Sequence, residues 1–136
     1  MTTEEKHFVL QDLAANAITR LQSLPLAAVK VSGYLMNGRS EDETNRQHLL
    51  SVQKRLMQDG HVVFDCLNDD PQIRELGLAW GYEVEEYHRP ILQSGLIKTI
   101  FFMPEWERSN IARAEHLYGN ELGLEIKYVP EEWFEV

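Results

Sequence analysis

The chain has 136 residues, enough for one domain with a core of its own. Its 13 Lys and Arg against 22 Asp and Glu give a formal charge of −9, which argues against a nucleic-acid groove, because phosphate binding needs a basic surface. Apolar residues make up 43% and charged residues 26%, the composition of a soluble globule rather than a disordered tail. The single cysteine, Cys66, excludes an internal disulfide and a thiolate zinc cage. The opening MTTEEKHFVLQ lacks a basic stretch followed by an apolar one. No apolar run reaches the roughly 18 residues of a membrane span. A cytoplasmic protein with no membrane partner is expected.

Thr2 and Glu5 have capping-box spacing, and Leu10, Ala14, Ala17, Ile18, Leu21 and Leu24 recur at helical intervals before Pro25. Residues 1–26 therefore read as an N-terminal helix packed on a domain of residues 27–136. Residues 27–33 form a short apolar run ending in glycine, the mark of a buried strand. A second capping box, Ser40 to Glu43, opens a helix with the apolar stripe Leu49, Val52, Leu56 and Met57, closed by Asp59-Gly60. Residues 61–65 predict a second strand. Asn68-Asp-Asp-Pro71 is turn chemistry. A helix is expected within 83–95, started or kinked by Pro90. Residues 96–103 give the clearest strand, nearly all apolar, as in a sheet covered on both faces. A helix over 109–121, Gly123 and a last strand at 124–129 complete the chain.

Alternating helices and strands call for a parallel sheet in a three-layer α/β sandwich. The expected topology is flavodoxin-like, with four strands in the order 2-1-3-4 and a site at their carboxyl ends. Two loops then matter, 32–40 and 103–110. In the first, Ser32, Gly33, Asn37 and Gly38 run into a capped helix, where glycines let amides approach a ligand and the helix start favours an anion. The plainer reading is a turn that needs glycine for its own geometry. In the second, Trp106 can flank a base, and Ser109, followed by Asn110, is placed to cap a helix and share its hydroxyl with a phosphate. The apolar face of that helix reads as Ile111, Ala114, Tyr118 and Leu122, with Glu115 at its border. A carboxylate there is a cleft nucleophile or a solvated surface residue, and spacing alone favours the surface.

The five histidines, His7, His48, His61, His88 and His116, show no metal-ligand spacing, so no metal or other cofactor is assigned. His116 points about 100° from Glu115 and is not its partner. Cys66 reads as a buried structural thiol. Glu83, Glu85 and Glu86 read as a solvated helix face.

The segments Val31-Ser-Gly33, Met36-Asn-Gly38, Gly60-His-Val-Val-Phe64 and Met103-Pro-Glu-Trp-Glu-Arg-Ser109 with Ala112-Arg-Ala-Glu115 carry a resemblance. Over about residues 27–130 the sequence is similar to the nucleoside 2-deoxyribosyltransferase-like superfamily, closest to a small phage and bacterial branch. The resemblance implies a flavodoxin-like fold and cleavage of an N-glycosidic bond in a nucleoside or its 5′-monophosphate. Glu115 would attack the anomeric carbon, by the logic of a retaining glycosidase. Ser109 and nearby amides would hold the 5′ end, and Gly33 and Gly38 would let the first loop close. A homodimer is a common setting for such sites. The family's first-strand tyrosine falls near Lys30, one aspartate near Pro90, another at Lys98, and a glycine at Ile111. The alternative expectation is a nucleotide-binding protein with little turnover on the same scaffold, and a third is an interaction protein without a small ligand.

Overall fold

A computed structural model describes residues 1–33 and 42–133. Its elements are helix α1 (Thr3–Gln22), strand β1 (Ala28–Ser32), helix α2 (Asp42–Gln58), helix α3 (Asp70–Leu76), a continuous helical stretch α4 (80–93), strand β2 (Ile97–Phe102), helix α5 (Asn110–Glu121) and strand β3 (Glu125–Tyr128). Three strands form a parallel sheet in the order β1-β2-β3. The architecture is mixed α/β with an added N-terminal helix, compatible with a flavodoxin-like sandwich. Among the described residues no helix is long and apolar enough to cross a membrane.

The strand predicted at 61–65 is reduced to one parallel bridge, Val29 to Val63. The Val29 amide donates to Val62 O at 2.8 Å, and Val29 O accepts from the Phe64 amide at 2.9 Å. These bonds lie on the edge of β1 away from β2, since alternate residues of a strand aim their amides at opposite edges. Both ends of the segment are committed elsewhere. His61 N donates back to Leu56 O at 3.0 Å, closing the end of α2 past Gly60 at φ +93°. Asp65 accepts from the Leu67 amide at 3.1 Å. Little backbone is left to pair.

The sheet separates two apolar clusters. Val29, Val31, Phe101 and Met103 meet Leu49, Val52 and Leu56 of α2 on one side. Ala28, Ile97, Ile100 and Phe102 meet α1, α4 and α5 on the other. Strand side chains alternate faces, so Lys30 and Ser32 share the side of Ala28 and look toward α5. The capping box of α1 forms as expected, with Thr2 and Glu5 bonding reciprocally at 3.1 and 3.2 Å. Leu10, Ala14, Ala17 and Leu21 are buried on it. On α2 the stripe differs by one residue: Met57 is exposed and Gln53 is buried. Ser40 of the second capping box lies outside the described residues.

Two local departures shape the site. In α4, two short α-helical segments (Trp80–Glu83 and Arg89–Gln93) flank a π-helical turn, Val84–His88, in which the Arg89 amide bonds to Val84 O. Pro90 follows at once; it has no N–H and its ring crowds the carbonyl four residues back, so a widened turn relieves a clash that a regular helix would keep. In α5 the buried line is Ala112, Glu115 and Gly119. The predicted Ile111, Ala114 and Tyr118 are only half-buried, and Leu122 is exposed. Gly119 explains the turn: a Cβ there would stand 3.0 Å from both Ile100 Cδ1 and Ile126 Cδ1. The helix lies so close to the sheet that small residues, not the largest apolar ones, form its contact line.

Candidate functional site

Two hollows sharing Gly33 and Leu49 open at the carboxyl ends of β1 and β2. The smaller, about 60 Å³, is walled by Lys30, Ser32, Cys66, Glu83, His88 and Glu115, with Ile111 and Ser109 at its side. The larger, about 200 Å³, is lined by Asn45, His48, Met103, Pro104 and Glu105. Asn45 Nδ2 is buried there with no hydrogen-bond partner among the described residues.

Glu115 is only 1% exposed, at the centre of the buried line of α5. Its Oε1 accepts from Ser32 Oγ at 2.8 Å and from Lys30 Nζ at 3.3 Å, and Lys30 Nζ stands 3.0 Å from Oε2. Burial alone would raise the Glu115 pKa, but the Lys30 ammonium, His88 and the two hydrogen bonds outweigh it and hold the carboxyl below its usual range. Lys30 is shifted up: burial works against its charge, and Glu115 more than compensates. Both groups are therefore ions in a dry interior. Their attraction is about 5 kcal/mol at an effective dielectric of about 20, while desolvation costs several kcal/mol per ion. As a unit the pair adds little to stability; each ion nevertheless depends on the other.

His88 closes the opposite wall. It is 8% exposed. Its Nε2 lies 2.7 Å from Glu83 Oε2, and because an ionised carboxylate only accepts, Nε2 carries the hydrogen. In a regular helix residues five apart diverge by about 140°; the π turn brings Glu83 and His88 together. His88 Nδ1 is buried without a hydrogen-bond partner among the described residues and faces Glu115 Oε2 at 3.8 Å. Glu115 Oε2 is paired with Lys30 at 3.0 Å and has no further hydrogen-bond partner among the described residues. The thiol of Cys66 borders the same space, and burial pushes it up to about 11 against the opposing pull of Lys30, so it stays protonated and a poor nucleophile.

The predicted site residues separate into three groups. Glu115, Ser32, Gly33 and Ser109 converge on the hollows. Ser32 spends its hydroxyl on Glu115, and Ser109 caps α5, accepting from the Ala112 amide at 3.1 Å. Gly33 is required by packing, since a Cβ would meet Met103 Cγ at 2.6 Å. Trp106 and Asn110 lie elsewhere. Trp106 stacks on His116 at 4.3 Å beside Phe102 and Tyr128, and Asn110 is exposed and bonded to Arg113. Asn37 and Gly38 fall outside the described residues. Sequence reasoning passed over Lys30, Glu83 and His88 as site residues. Of the acidic cluster, Glu85 is exposed as predicted, whereas Glu83 and Glu86 are half-buried and bonded to His88 and His7. For Lys30 a signal existed, because a charged residue inside a covered strand needs a buried counter-ion. Among the described residues no cluster of three His, Cys, Asp or Glu side chains suits a metal ion.

Residues 27–128 match the model of a family described as Domain of unknown function (DUF4406); the chain belongs to that family. Neither the curated proteins nor the solved structures include a significant match.

Proposed function

We propose that this DUF4406 member cleaves the N-glycosidic bond of a nucleoside or nucleoside 5′-monophosphate, with Glu115 attacking the anomeric carbon and the sugar passing to water or to another base. The observation that carries the reading is the state of Glu115: an ionised carboxylate, buried at the carboxyl edge of a parallel sheet and held by Ser32 at Oε1 and by Lys30 at both oxygens. Fixed orientation and exclusion of water are what a carboxylate needs to trap an oxocarbenium-like centre. The resemblance of the loops around Ser32 and Ser109 to the nucleoside 2-deoxyribosyltransferase-like superfamily supports the same assignment. In this reading Ser109 and the start of α5 receive the 5′ end, and Asn45 Nδ2 offers a donor to the ligand in the larger hollow. The segment 61–65 is then the second strand of a flavodoxin-like sheet in the order 2-1-3-4.

One observation favours a second reading, a nucleotide-binding protein with little turnover. Lys30 sits on the attacking carboxylate, and about 60 Å³ is less than a sugar ring requires beside Ile111. Incubating the protein with a panel of nucleosides and 5′-monophosphates, and following free base by chromatography, separates the two. Base release by the unchanged protein that is lost per folded molecule in Glu115→Gln establishes the enzyme; saturable binding without release establishes the binder. Ile111→Gly sharpens the result, raising turnover or affinity as it enlarges the space, at about 1 kcal/mol of helix stability.

A further inference from the structure

We infer that His88, oriented by Glu83, is the group that gives a proton to the departing base and takes one back in the second half of the reaction. The inference rests on the proposed N-glycosidic cleavage and adds a residue to it. Three independent facts support it. Glu83 Oε2 holds Nε2 at 2.7 Å and so fixes the ring. Nδ1 is buried with no hydrogen-bond partner among the described residues, an expensive condition that a ligand would relieve. That nitrogen stands 3.8 Å from Glu115 Oε2, the oxygen nearest Lys30, in the same small cavity. An imidazole oriented by a third group, its other nitrogen open to the cavity that the nucleophile lines, can pass a proton to a leaving group bound there and take one back.

The chemistry balances without any other reagent than water or an acceptor base. In the first half a bond forms between a Glu115 oxygen and the anomeric carbon as the C–N bond breaks. The electron pair leaves on the base nitrogen and takes the Nδ1 proton of His88, which enters this half as the imidazolium with Glu83 on Nε2 and leaves it as the neutral ring. In the second half water attacks the anomeric carbon, its proton passes to Nδ1, and the C–O bond to Glu115 breaks, restoring the carboxylate. The groups that face His88 and bear on its charge are Glu83 on its own helix, Glu115 on α5, Lys30 on β1, and Asp70 and Cys66 across the cavity.

The test compares His88→Gln with the unchanged protein on two leaving groups. Nucleoside 5′-monophosphates release a base that needs a proton; nitrophenyl riboside 5-phosphate releases a phenolate that does not. The expected result is a loss of about 100-fold or more on the nucleotides, with the nitrophenyl substrate within a few-fold of the unchanged protein, and the same pattern, weaker, for Glu83→Gln. Equal losses on both substrates, or none, overturn the inference while leaving the cleavage reading intact. Glu115→Gln serves as the control that loses both activities. If the unchanged protein cleaves neither substrate, the cleavage reading fails and the inference falls with it.

Discussion

Asp69 and Glu115 are both buried carboxylates, 2% and 1% exposed, in two differently built regions. Asp69 Oδ2 accepts from the Tyr87 hydroxyl at 2.6 Å and Arg20 Nη2 at 3.0 Å, and Oδ1 accepts from Asn68 at 3.1 Å. Every oxygen is used, and the Arg20 side chain, 42% exposed, carries the compensating charge out to water. The network ties α1 to α4. Around Glu115 the compensating charge is the fully buried Lys30, 3.0 Å from Oε2, and the facing His88 Nδ1 has no hydrogen-bond partner among the described residues. A satisfied network is what stability alone selects; a buried ion pair beside an unpartnered imidazole nitrogen costs free energy and is the kind of feature found at ligand sites.

The contrast is broken most severely by Glu115→Gln. The amide is nearly isosteric, but with Lys30 buried opposite it the change leaves an uncompensated charge. Base release should vanish and stability should fall by about 3–5 kcal/mol in urea unfolding. Lys30→Met combined with Glu115→Leu should recover most of that stability without recovering activity. A double variant as unstable as the single one would show that the ion pair is itself a stabiliser.

Titration sharpens the comparison next. Glu115 is held below its usual 4.5, so its contribution is complete above that value and is lost as the pH falls through the lower, folded value. Lys30 is held above 10.5, so its contribution is complete below that value and is lost as the pH rises through the folded one. Unfolding free energies measured across pH should therefore decline at both ends, and the Lys30→Met, Glu115→Leu variant should show a shallower acid limb. An acid limb of unchanged steepness would assign it to other carboxylates.

In the Asp69 region, Tyr87→Phe should cost about 1–3 kcal/mol, since it removes a donor from a buried carboxylate, while base release per folded molecule stays unchanged. A large loss of activity there would mean that the two networks are coupled through α4. The smallest effect belongs to Ser109→Ala: about 1 kcal/mol from the lost cap, together with a narrower preference for 5′-monophosphates over nucleosides in calorimetric binding. Equal affinity for both ligand types in the unchanged protein would remove the phosphate assignment.

Regular elements were legible where local signals are strong. The capping box and apolar positions of α1, the three paired strands and the glycine ends of α2 and α5 all follow from short-range pattern. Glu115 was legible as a residue and not as a buried one. Periodicity weighs large apolar side chains, whereas α5 docks through Ala112 and Gly119, whose value lies in their smallness. Lys30 and Glu115 are 85 positions apart and meet only in the fold. His88 was least legible, because its pairing with Glu83 depends on a π turn that helical periodicity does not contain.

That turn makes Pro90 a distant custodian of the cavity. Replacing it with alanine restores a backbone donor and invites α4 to settle into uniform winding, which by propensity alone is a gain. Uniform winding would also swing His88 away from Glu83 by more than a third of a revolution. A variant that melts higher while its imidazole loses its anchor would show that the irregularity of this helix is itself a working part, set by a residue that brings no polar group to the cavity.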